Sequence, residues 1–98
     1  MATTFFIELN LKTVTGFERY GCFDLGDDRE FAVELFSRLE GRPDADDQAV
    51  LQMDLIEKYR GLPLNLQVIN CSMNELCRNI RIITRELFKH KNLDSAPF

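Results

Sequence analysis

Apolar and polar positions alternate along residues 4–12, TFFIELNLK. Phe5, Ile7, Leu9 and Leu11 fall on one side, while Glu8, Asn10 and Lys12 fall on the other, with Phe6 as the exception. Period two over this length predicts a half-buried strand. Residues 17–25, FERYGCFDL, continue the pattern with Phe17, Phe23 and Leu25. A three-residue loop Val14-Thr15-Gly16 would pair Phe5 with Leu25, Ile7 with Phe23, Leu9 with Gly21 and Lys12 with Glu18. That register keeps one face apolar, and a slip by one residue would move every side chain to the wrong side.

The period then changes. Phe31, Leu35, Phe36 and Leu39 recur at helical spacing, Asp27 stands as N-cap with Glu30 three residues on, and Gly41 and Pro43 mark the stop. This predicts a helix near 28–40 opened by a capping box. The same order follows again. Leu51, Met53 and Leu55, then Leu62, Leu64, Leu66 and Val68, alternate around Arg60-Gly61, which predicts strands near 50–59 and 62–70. A two-residue turn there pairs Tyr59 with Leu62, Leu55 with Leu66 and Met53 with Val68. Pro63 has no backbone N–H, so this strand belongs at a sheet edge. Ser72 and Glu75 form a second capping box, and Leu76, Ile80, Ile83 and Leu87 form the stripe of a helix near 73–91. Lys89, His90 and Lys91 suit the negative end of that helix dipole.

Gly16 and Gly61 each precede a capping residue by eleven positions, with Glu three further on. The chain thus reads as two ββα units, pseudo-repeats 4–41 and 50–91, left either by duplication or by two solutions to one problem. A lone hairpin is unstable until something covers its apolar face. The predicted class is α+β: ββαββα, a four-stranded, mostly antiparallel sheet with both helices packed on one face. One domain spans 1–93, and 94–98 form a tail.

Composition narrows the functional classes. The 98 residues suffice for one domain with one core. No apolar run approaches a membrane span, and the N-terminus lacks the basic and apolar regions of a signal peptide. Cytoplasm is the expected compartment. Three cysteines cannot pair completely within one chain, and with one histidine and no C-x-x-C a zinc site is not expected. Residues 1–47 carry a net charge of −6 and residues 48–98 a net charge of +2. The overall acidity repels nucleic-acid phosphates at long range.

Candidate chemistry is sparse. Arg78, Arg81, Arg85 and Lys89 share one helix face opposite the apolar stripe, which offers a contact for an anion or an acidic partner, although a solvated face produces the same pattern. In the acidic run Asp44, Asp46 and Asp47, the first two keep the alternate spacing of a calcium loop, but position 48 is Gln and the required glycine is absent, so a solvated loop is expected. A nucleophile–histidine pair would have to use His90, beside two lysines at a helix end. Cys71 precedes a helix N-terminus, a setting that lowers a thiol pKa, but one position does not make an active site. No phosphate-binding glycine motif or nucleophile elbow is present. No cofactor is expected.

The expected function is therefore a non-enzymatic interaction module that self-associates as a homodimer. The sheet face away from the helices is its expected contact, with Phe6, Tyr20, Cys22, Ile56, Ile69 and Cys71 interleaved with Glu8, Asn10, Lys12, Asp54, Asn65 and Gln67. The alternatives are a polyanion or nucleic-acid binder using the second helix, and an enzyme or ligand binder with a site between protomers.

Overall fold

The computed structural model describes residues 3–44 and 49–92. Asp46, Asp47 and the tail at 94–98 lie outside the described residues. Six elements follow one another: β1 (Thr3–Thr13), β2 (Gly16–Gly26), α1 (Arg29–Ser37), β3 (Leu51–Tyr59), β4 (Leu62–Cys71) and α2 (Met73–Asn92). The strands form one sheet in the order β2-β1-β3-β4, and every neighbouring pair is antiparallel. The fold is α+β, with a four-stranded antiparallel sheet and two helices.

The Arg60-Gly61 turn is the tight one expected. Both residues have positive φ, +53° and +80°, the requirement of a type I′ turn, and Tyr59 pairs with Leu62. At the other hairpin the loop is one residue shorter than expected. Thr13 pairs with Gly16, whose φ of +125° a side chain would strain, and the Thr13 hydroxyl donates to the Gly16 carbonyl at 2.7 Å.

Three β-bulges alter the expected registers. Ile7 faces Phe23 and Leu9 faces Gly21, but Tyr20 is an extra residue in β2, so Lys12 meets Phe17 rather than Glu18. Leu25 is a second extra residue, which leaves Phe5 opposite Gly26. In β4 the extra residue is Leu66, so Leu55 meets Gln67 and Met53 meets Ile69. A bulge inserts one residue and thereby exchanges faces beyond it. Ile69 and Cys71 therefore turn toward the core rather than away from it. Ile69 packs on the core cluster and Cys71 is fully buried in it. All three bulges sit in the edge strands, where they also discourage pairing with other sheets.

The core joins Phe5, Ile7 and Leu9 of β1 with Leu25 of β2, Leu51, Met53 and Leu55 of β3, and Cys71 of β4. Ala32, Leu35 and Phe36 of α1 and Leu76 and Ile83 of α2 complete it. Burying each larger side chain stabilises by about 1.5–3 kcal/mol. Partly buried Ile80, Ile82 and Leu87 flank α2's contribution.

The two helix starts differ. Ser72 and Glu75 form a complete capping box: the Glu75 N–H donates to the Ser72 hydroxyl at 3.3 Å, and the Ser72 N–H donates to the Glu75 carboxylate at 2.8 Å. The cap of α1 is Asp28, not Asp27, with its carboxylate accepting from the Phe31 N–H at 3.1 Å. The cap thus lies twelve residues after Gly16 in the first hairpin but eleven after Gly61 in the second, and β2 carries one more bulge residue than β4.

Helix α1 ends at Ser37, short of Gly41, because the following chain is held elsewhere. Arg42 forms an antiparallel bridge with Asn70, their backbones exchanging hydrogen bonds of 2.9 and 2.7 Å. Gly41 lies against Ile69 so closely that a Cβ would come within 2.9 Å of that side chain.

Candidate functional site

Neither central strand carries a bulge, so β1 and β3 alternate without interruption. Their odd-numbered residues from Phe5 to Leu9 and from Leu51 to Leu55 enter the core. Their even-numbered residues form rows on the opposite face: Thr4 with Lys58, Phe6 with Ile56, Glu8 with Asp54, and Asn10 with Gln52. From β2 the same rows receive Asp24 beside Phe6, Cys22 beside Glu8, and Arg19 beside Asn10. From β4 they receive Asn65 beside Ile56 and Val68 beside Asp54.

Of the apolar residues expected on this face, Phe6 is half-buried and Ile56 is only 5% exposed. Cys22 is exposed, and Tyr20, the bulge residue of β2, is exposed at the edge. Ile69 belongs to the other face. A depression is lined by Thr4, Phe6, Arg19, Cys22, Asp24 and Lys58.

The centre of the face is electrostatically unusual. Glu8 and Asp54 are direct cross-strand partners, an arrangement of like charges that destabilises a sheet. Asp54 is 7% exposed, and its Oδ1 is buried without a hydrogen-bond partner. Its other oxygen accepts from Asn65 Nδ2 at a long 3.5 Å. Burial, then the neighbouring Glu8 carboxylate, pushes the Asp54 pKa above the ordinary aspartate value, and the Asn65 hydrogen bond offsets this in part. Glu8 is better supported. Asn10 Nδ2 donates to it at 3.3 Å, and Arg19 Nε lies 3.5 Å from its other oxygen. The guanidinium of Arg19 thus pairs with Glu8, and the only side-chain donor that Asp54 has among the described residues is Asn65. The sequence shows both acids at even positions, but only the adjacency of β1 and β3 brings them together.

Arg78, Arg81, Arg85 and Lys89 of α2 are exposed, and three of these four stand beside carboxylates. Arg78 Nε donates to both oxygens of Glu40 at 2.9 Å. Arg85 lies 3.3 Å and Lys89 3.9 Å from Glu86. Arg81 is exposed on the same face.

The two residues with catalytic associations are placed structurally. The His90 ring stacks on Phe31 with centroids 3.8 Å apart and planes 6° from parallel, and its Nε2 is 3.9 Å from the α1 cap Asp28. This contact ties the end of α2 to the start of α1. Cys71 donates through Sγ to the Glu40 carbonyl at 3.3 Å and lies 3.5 Å from Asn79 Nδ2. Burial, with the Glu75 charge second, pushes its thiol up to about 11, so the nearby helix N-terminus does not make it a thiolate. Glu75 itself is held below the usual glutamate value, chiefly by the Ser72 N–H. Among the described residues, no three His, Cys, Asp or Glu side chains converge to hold a metal ion.

Comparison with protein-family models, with curated proteins and with solved structures finds no match to this chain.

Proposed function

We propose that this chain is a non-enzymatic interaction module that self-associates through the sheet face opposite its core. In this reading both helices cover the core side, and the two hairpin–helix segments are equivalent ββα units. Two facts support a single helix layer. Residues of α1 and α2 join one cluster with the odd-numbered residues of β1 and β3. The shortest molecular extent is 19 Å, room for a sheet and one layer of helices about 10 Å across. No helix among the described residues is long and apolar enough to cross a membrane. Three unpaired cysteines fit a reducing compartment, and the cytoplasm is the proposed one.

The observation that carries the reading is Phe6, a half-buried aromatic on a central strand of the face away from the core, directly opposite Ile56, which its own chain already buries. A homodimer would close over this row by presenting the same patch twice. The polyanion reading has less support, since Arg78, Arg85 and Lys89 have carboxylate neighbours. The test is Phe6→Asp combined with Cys22→Asp, both at positions outside the fully buried core. The double variant should retain its circular dichroism spectrum and elute as a monomer where the unaltered chain elutes as a dimer. A double variant that remains dimeric would mean that another surface carries the contact.

A further inference from the structure

Resting on the proposed self-association, we infer that the Glu8–Asp54 carboxylate pair is the socket for Lys58 of a second copy of this chain. The pair has an unmet charge requirement. Two acids stand side by side with one guanidinium, Arg19, and one Asp54 oxygen is buried without a donor. A buried carboxylate beside a like charge is a costly arrangement, and one further cation over the pair offsets the repulsion between the two charges. Glu8 keeps 22% of its side chain exposed, so an ammonium at the surface reaches Glu8 directly and acts on Asp54 beneath it.

The same face supplies the matching cation at the matching place. Along the regular strands β1 and β3 the rows run Thr4–Lys58, Phe6–Ile56, Glu8–Asp54. Read along the strands, the pattern is basic, apolar, acidic. Successive rows on one face are about 6.7 Å apart. A two-fold axis lying between two such faces, across the strands and over the Phe6–Ile56 row, reverses the order in the second copy. It lays the Phe6–Ile56 pair on its counterpart, with the Asp24 of each copy at the β2 end of that row, and places each Lys58 over the partner's acidic row. The pattern is therefore complementary to its own reversal, as an isologous interface requires. Lys58 is exposed, and within its own chain it belongs to no ion pair among the described residues.

A double-mutant cycle in the full chain, read by sedimentation equilibrium, tests the pairing. The variants are Lys58→Gln, Glu8→Gln and their combination, with Asp54→Asn as an independent probe of the socket. Each single change should weaken the dimer at least tenfold, and the combination should cost little more than either alone. Asp54→Asn should also weaken the dimer while leaving the monomer folded and no less stable to heat. Additive losses for Lys58 and Glu8, or an Asp54→Asn dimer as tight as the original, would overturn the socket and leave self-association standing. An unaltered chain that stays monomeric at hundreds of micromolar would overturn both.

Discussion

Asn79 of α2 holds Glu40 by both of its backbone polar groups. The Glu40 N–H donates to Asn79 Oδ1 at 2.8 Å, and Asn79 Nδ2 donates to the Glu40 carbonyl at 2.8 Å. Asn79 has no exposed surface, so the amide acts as an internal strand partner for the chain that leaves α1. Together with the Arg42–Asn70 bridge, it directs residues 40–42 along the β4 edge. Asn79→Ala removes both bonds and leaves the Glu40 amide and carbonyl to find other partners. It should cost about 2–4 kcal/mol in urea unfolding. A loss under 0.5 kcal/mol would mean that the Glu40 contacts contribute nothing net.

The cap assignment separates two adjacent acids. Asp28→Ala should destabilise by about 0.5–2 kcal/mol, because the Phe31 N–H loses its acceptor. Asp27→Ala should stay within about 0.5 kcal/mol, as expected of a surface change away from a cap. Thermal unfolding of the two variants side by side gives the comparison, and equal losses would contradict Asp28 as the cap.

The thiols should divide by burial. Cys22 and Cys77 are exposed, while Cys71 is buried with its thiol pushed up to about 11. Titration of the native chain with an aromatic disulfide reagent at pH 8 should modify two thiols promptly and the third only with unfolding. The raised value also sets an alkaline limit. The folded chain keeps the Cys71 proton at a pH where the unfolded chain, near 9, gives it up, so folding loses stability as pH rises from about 9 through 11. Cys71→Ala should show a shallower decline over that window, and an identical decline would contradict the shift.

Asp54 gives a test of the same sign on the acid side. Its folded-state pKa is raised, so its favourable contribution is complete below the unfolded value near 3.8 and is lost as pH rises through the folded value. At pH 7 its ionisation therefore costs stability. Asp54→Asn, measured on dilute monomer, should unfold at a higher temperature than the unaltered chain at pH 7. The difference should narrow toward pH 4. A less stable Asp54→Asn monomer at pH 7 would contradict the account.

The fold was largely legible in the alternation of side chains, because both strand and helix periods are clean from Phe5 to Leu25 and from Leu51 to Leu87. The bulges were not. One extra residue at Tyr20, Leu25 or Leu66 leaves the pattern regular on either side and shifts only its phase. An unshifted alternation therefore places Ile69 and Cys71 on the face they turn away from. The cap moved from Asp27 to Asp28 for a related reason: two adjacent acids offer the same chemistry, and only the path of the bulged strand selects between them. The Glu8–Asp54 pair was beyond reach, since nothing in one chain's pattern states that β1 lies beside β3. The basic row on α2 was legible, whereas the distant partner Glu40 of Arg78 was not.

The central claim is that the Phe6–Ile56 face joins two copies of the chain. Light scattering coupled to size exclusion, at micromolar concentration and moderate salt, measures this directly. The account predicts a mass twice that of the 11.4 kDa chain, falling to a single chain when Phe6→Asp and Cys22→Asp are combined. A mass of one chain for the unaltered protein across that range would contradict it.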